Sequence, residues 1–194
     1  MNITSSRCIG VLAGMLVIGA SLVAVATLAG CSSIDAQFGQ DGWVITHIGA
    51  SSRARAVVVQ PDGKIVVAGG AAKATPHDFA VARYLQDGSL DPSFGKEGIV
   101  ITSFGVDVWP HSAAIDRNGR IVIGGVRWPG SDVGTYLARY NKDGSLDSSF
   151  GTEGKVVTSI AKGESMAVQG DGKVVVAGQS AENLVLVRYN EDGT

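Results

Sequence analysis

The sequence predicts an all-β fold: about three four-stranded antiparallel blades of β-propeller type, forming an open or incomplete ring. Three observations predict it. First, the chain copies itself, because Phe38-Gly39, Phe94-Gly95 and Phe150-Gly151 recur at 94 − 38 = 56 and 150 − 94 = 56, and Arg83-Tyr84 returns as Arg139-Tyr140. Second, each copy holds two valine-rich runs joined by Asp-Gly or Asn-Gly, the strongest short-range hairpin signal, since those residues tolerate positive φ. Third, the runs are short, β-branched and separated by glycine, which argues against helices. Strands apolar on both faces need a sheet on either side, as blades have. A β-sandwich is the alternative, but it would not repeat as a four-strand block with the same turns.

The chain opens with a leader. From Ile9 to Ala29 it is apolar apart from glycines, Ser21 and Thr27, the pattern of an export signal or a membrane anchor. The run ends in Leu28-Ala29-Gly30-Cys31, which resembles the bacterial lipobox. The resemblance implies cleavage after Gly30, acylation of Cys31 and a lipid-anchored protein of the cell envelope. An uncleaved helix is the alternative. Ser32 follows the cysteine where inner-membrane retention usually requires aspartate, so the outer membrane is the expected location. Lipid anchoring becomes stable when more than one acyl chain is attached.

Setting residues 1–30 aside as a signal peptide leaves 194 − 30 = 164 residues, the size of one domain. The formal charge is −2, and losing the leader's only charged side chain, Arg7, makes it −3. That balance provides no basic footprint for nucleic acid. The two cysteines are Cys8, in the leader, and Cys31, so residues 32–194 carry no thiol for a disulfide, a metal or a nucleophile. The 27 glycines stand at fixed places in the repeat and are read as turns, not as a disordered tract.

Residues 34–47 form a partial copy: Ile34-Asp35-Ala36-Gln37-Phe38-Gly39 followed by one strand at Trp43 to His47. The first full copy, about 52–103, has Ala56-Val57-Val58-Val59, the turn Gln60-Pro61-Asp62-Gly63-Lys64, and Ile65-Val66-Val67-Ala68-Gly69. A third strand follows at Phe79 to Tyr84, and a fourth near Gly98 to Ser103. The second copy, about 108–159, turns at Asn118-Gly119-Arg120 and has Tyr136-Leu137-Ala138-Arg139-Tyr140. The third, about 164–194, turns at Asp171-Gly172-Lys173, has Leu184 to Tyr189, and runs out in Asp192-Gly193-Thr194. Its spacing is shorter, 172 − 119 = 53, which places the missing residues in exposed connections.

The strings Gln-Pro-Asp-Gly-Lys-Ile-Val-Val-Ala-Gly, Ala-Arg-Tyr and Asp-Gly-Ser-Leu-Asp-Pro-Ser-Phe-Gly resemble the delta-60 repeat, a bacterial β-propeller repeat of exported proteins. The resemblance covers nearly everything from Ile34 to Thr194. It implies the fold and carries no defined activity. Three blades fall short of the usual four to eight. The expectation is therefore a truncated chain, an assembly through open blade faces, or an open arc.

Residues present in every copy are assigned to the fold. Arg83, Arg139 and Arg188 recur with Asp35, Asp91 and Asp147, and are expected to form buried pairs that brace each blade. Asn141 to Asp147 loosely resembles a calcium loop, but an Asp-Gly turn explains it without a metal. The unrepeated residues are left to specialise. Trp109, His111, Trp128 and Asp132 lie in expected loops of the second copy and are the candidate binding residues for a protein or carbohydrate. Alternatively, each Trp packs over its own blade edge. No catalytic residue, metal site or cofactor motif is read from the sequence: His47, His77 and His111 lack ligand spacing, and no nucleophile elbow or phosphate loop occurs. The expected function is a lipid-anchored binding or scaffolding module, and the alternatives are a propeller hydrolase or lyase, or a fragment of a longer repeat protein.

Overall fold

The computed structural model describes residues 34–72, 76–127 and 134–194. Every regular element in it is a strand. Blade A comprises β1 (Ser51–Val59), β2 (Ile65–Ala72), β3 (Asp78–Tyr84) and β4 (Ile99–Thr102). Blade B comprises β5 (Val108–Ile115), β6 (Ile121–Arg127), β7 (Thr135–Tyr140) and β8 (Lys155–Thr158). Blade C has three strands, β9 (Lys162–Val168), β10 (Val174–Ser180) and β11 (Asn183–Tyr189). Each sheet is an antiparallel meander in chain order. The protein is thus all-β, in blades of 4, 4 and 3 strands that do not close on themselves.

The first hairpin of each blade forms where Asp-Gly or Asn-Gly predicts it. Gln60 pairs with Lys64 around a three-residue loop, and only Gly63 is left-handed, at φ 82°. A type I turn closed by a glycine bulge does this, so Asp62 keeps ordinary φ and its carboxylate instead accepts from Lys64 N at 3.2 Å. Gly119 and Gly172 repeat the geometry at 77° and 86°.

Blades stack face to face, each with a front and a back. Registers such as Val66↔Arg83 and Ala68↔Val81 define the front of blade A, and Ile121↔Tyr140 and Ile123↔Ala138 the back of blade B. Between them lies the larger core, where Val66, Ala68, Phe79, Val81 and Phe94 meet Ile121, Ile123, Tyr136, Ala138 and Tyr140. The front of blade B repeats this against blade C with Val122, Leu137, Phe150, Val174, Val176 and Tyr189. Phe79, Phe94 and Phe150 are fully buried, worth roughly 1.5–3 kcal/mol each.

Polar contacts repeat with the same period. Tyr140 Oη donates to Thr102 Oγ1 of the preceding blade at 2.7 Å, and Thr158 and Tyr189 hydroxyls meet at 2.6 Å. Gly95 N reaches Asp143 O and Gly151 N reaches Asp192 O, both at 2.7 Å.

The partial copy occupies the back of blade A. Tyr84 Oη donates to Thr46 Oγ1 at 2.7 Å, and Gly39 N donates to Asp87 O at 2.7 Å. Asp41 takes φ 53°, matching Glu97 and Glu153 at 53° and 52°. Residues 34–48 therefore sit where the fourth strand of a preceding blade would sit. The strand expected at Trp43 to His47 is extended chain with only bridges from Trp43 to Gly39 and Gln40, because no third strand lies beside it among the described residues.

Candidate functional site

The repeated arginines do more than brace their own blades. Arg83 Nε donates to Asp91 Oδ2 at 2.8 Å, and Arg139 Nε to Asp147 Oδ2 at 2.7 Å, with all four side chains largely buried. The second arm of each guanidinium crosses to the next blade, Arg83 Nη1 to Lys142 O and Arg139 Nη1 to Glu191 O. Each guanidinium also stacks on the phenylalanine of its copy, 4.6 Å from Phe94 and 4.4 Å from Phe150. Further cations join: Lys64 Nζ lies 3.0 Å from Asp91, and Arg120 Nη1 3.1 Å from Asp147. Burial would raise the Asp91 and Asp147 carboxyls, but hydrogen bonds from Ser93 and Ser149 and the nearby cations hold both below the usual range. Asp35 and Arg188 differ. Both are exposed, and among the described residues the Asp35 carboxylate accepts from Gln37 N at 3.0 Å while Arg188 has no carboxylate in reach.

A second set of repeat positions carries unlike residues. The three inner strands, β1, β5 and β9, pack side by side with β5 in the middle. Each has a β-bulge at the same point of the repeat: between Ala54 and Ala56, between Pro110 and Ser112, and opposite the step from Ala177 to Gly178. The bulged residues are Arg55, His111 and Glu164, spaced 111 − 55 = 56 and 164 − 111 = 53. Bulges re-aim side chains and gather next to functional sites. A glycine faces each bulge because nothing larger fits. A Cβ on Gly69, Gly125 or Gly178 would lie 2.1, 2.2 or 2.0 Å from the carbonyl oxygen of Arg53, Trp109 or Lys162.

The three are close enough to feel one another. His111 is half-buried and its pKa is lowered from 6.5, chiefly by burial; Glu164 pulls it up, while Arg55 and Lys162 push it down. The imidazole is therefore neutral at physiological pH, able to donate from one nitrogen and accept at the other.

Trp109 closes one side of this cluster. Its ring stacks on His77 with centroids 4.3 Å apart, and the Arg55 guanidinium sits 5.4 Å from the indole centroid. Its Nε1 is buried without a partner among the described residues. His77 Nδ1 lies 3.1 Å from Asp107 Oδ1.

The sequence expectation for Trp109 and His111 needs correction on two points. Both lie in β5, not in a loop, because the bulge at His111 absorbs Pro110 without breaking the strand. Trp109 packs against Gly70, His77 and Arg55 of blade A, not over the edge of its own blade. Trp128, Asp132 and Cys31 lie outside the described residues. Arg55, His77, Asp107 and Glu164 were not singled out from sequence. Arg55 and Glu164 were findable as unlike residues at one repeat position; the His77–Asp107 contact had no sequence signal.

In Asn141 to Asp147, Asp143 accepts from Ser145 N and Oγ at 2.9 and 2.7 Å and Asp147 is taken by arginines, so the carboxylates already serve the turn. Among the described residues no group of three or more His, Cys, Asp or Glu is placed to hold a metal ion, and no helix is long and apolar enough to cross a membrane.

Residues 60–94, 117–150 and 169–194 match the family model described as Domain of unknown function (DUF5122) beta-propeller. In blades A and B the match runs from the first hairpin turn to the phenylalanine beneath the arginine. No curated protein matches the chain.

Proposed function

We propose, from the premise that this chain is a β-propeller repeat protein, that it is an exported, lipid-anchored binding or scaffolding module of the delta-60 type, held to the cell envelope through Cys31. One observation carries the binding reading. Residues common to the copies are consumed in stacking blades, whereas unlike aromatic and ionisable residues, Arg55, Trp109, His111 and Glu164, collect at the inner-strand bulges. A flat indole whose donor has no partner among the described residues, beside a cation, a neutral imidazole and a carboxylate, suits a polar ligand with an apolar face, such as a sugar or a short peptide.

Arrays of oligosaccharides and peptides probed with the full chain test this. A hit is expected to weaken at least about tenfold in Trp109→Ala and in Glu164→Gln, each with an unchanged circular dichroism spectrum. Hits that ignore both substitutions would place binding elsewhere.

Anchoring rests on the apolar run that ends in Leu28-Ala29-Gly30-Cys31. Metabolic fatty-acid label should enter the chain and disappear in Cys31→Ala. Equal labelling of both would discard the anchor.

A further inference from the structure

The inner strands carry a charge pattern unlike that of the whole chain. The bulge position holds Arg55, His111 and Glu164, and the position two residues earlier holds Arg53, Trp109 and Lys162 (109 − 53 = 56; 162 − 109 = 53). Three of these six are permanent cations and one is a carboxylate, a balance of 3 − 1 = +2 in a chain whose formal charge is −2. β1, β5 and β9 pack side by side, so the excess is gathered on neighbouring strands. A surplus of one sign raises the local concentration of ions of the other.

Pairing within the cluster leaves one cation over. Glu164 Oε1 lies 3.6 Å from Lys162 Nζ, so that carboxylate already faces a positive charge. Asp107, the carboxylate beside Trp109's stacking partner, accepts from His77 N at 3.3 Å and lies 3.1 Å from its Nδ1. Arg55 is exposed, and among the described residues its N–H donors have no acceptor and its charge no carboxylate in reach. The blade-bracing arginines are the opposite case, since Arg83 and Arg139 donate to Asp91 and Asp147. What Arg55 does have is the Trp109 ring, 5.4 Å from its guanidinium. That contact limits the side chain's freedom before any ligand arrives, which lowers the entropy lost on binding.

We infer, building on the binding site proposed above, that its ligand is an acidic sugar whose carboxylate is held by Arg55. A guanidinium fork meets a carboxylate through two parallel N–H···O bonds, a match that lysine does not offer. The hydroxyls fall to the other two bulge residues. Glu164 accepts only, and the neutral His111 accepts at one nitrogen, so both suit O–H donors. β5 lies between β1 and β9, and His111 feels the charges of Arg55, Lys162 and Glu164 together. A neutral sugar would leave Arg55 without a partner. An acidic peptide would supply the carboxylate but few hydroxyls for the acceptors beside it.

The test titrates the full chain with an oligogalacturonate and with its methyl ester, which keeps the rings and hydroxyls and loses the charge, and follows binding by calorimetry. The acid is expected to bind at least about tenfold more tightly than the ester, and to weaken as salt is added. Arg55→Gln, with an unchanged circular dichroism spectrum, should weaken the acid about tenfold or more and leave the ester within about threefold. Lys96→Gln removes the same charge from an exposed side chain between β3 and β4, and should leave both within about threefold. No binding of the acid, an equal loss in Lys96→Gln and Arg55→Gln, or tighter binding of an oligoglutamate peptide of equal charge would each overturn the inference. Equal binding of acid and ester that Trp109→Ala still abolishes would overturn the anionic ligand and leave the site standing. Binding indifferent to both Trp109→Ala and Arg55→Gln would overturn the site as well.

Discussion

Arg139 lies on the front of blade B with its guanidinium stacked on Phe150, one nitrogen on Asp147 and another on a carbonyl of blade C. A buried charge with this many partners is stable only while all remain, since removing one strands the others. Asp147→Asn should therefore cost about 3–5 kcal/mol at neutral pH, read from urea unfolding. Its pH dependence follows in sign. The carboxyl titrates lower in the folded protein than in the unfolded chain, so its stabilisation is full above the unfolded value of about 3.9 and is lost as pH falls through the folded value. Unfolding free energy of the natural chain should drop steeply below about pH 4, and the slope should be shallower in Asp147→Asn. Parallel slopes would remove the pair from the account of acid sensitivity.

At the scale of the strand, the bulges are the features that set function apart from architecture. Each needs a glycine opposite, and at Gly125 a Cβ would lie 2.2 Å from Trp109 O and 2.8 Å from Phe79 Cζ. Relief requires moving both the β5 backbone, with Trp109 and His111, and a buried ring of the A–B core. Gly125→Ala is expected to lower stability by about 1–3 kcal/mol and to shift Trp109 fluorescence. Gly170→Ala, where a Cβ would meet nothing within 4 Å, should stay within about 0.5 kcal/mol of the natural chain. If the two behave alike in thermal unfolding, the bulge is not held by that contact.

Across the whole molecule, stability is distributed by neighbours. Blade B is covered on both faces and holds residues of both cores, whereas blade C is covered on one face and blade A leans on a single extended segment. In a repeat array each unit is stabilised by the interfaces it makes, so the end blades are the weak ones. Among the described residues, the face of blade C turned away from blade B carries the exposed Leu184 and Leu186.

What was legible in advance follows the range of the interaction. The hairpins, the strand count of a blade and the arginine–aspartate pairs depend on residues at most about a dozen apart, and a repeated unit prints them several times. The turn subtype was not legible, because Asp-Gly permits two loop lengths and strand register chooses between them. The crossing of Arg83 to Lys142 and the His77–Asp107 contact were missed because they bridge 142 − 83 = 59 and 107 − 77 = 30 residues with no shared pattern.

By itself, then, the amino-acid sequence determined the blade: its period, its turns, its apolar strands and the charges that brace it. Those are local or periodic, and alternation and turn chemistry encode them directly. Only the tertiary structure decided how blades meet, which face of blade A the partial copy covers, and that three unlike residues share one bulge position on the inner strands. Those depend on the twist and stacking of whole sheets, which place residues of distant copies side by side without leaving a mark in any one of them.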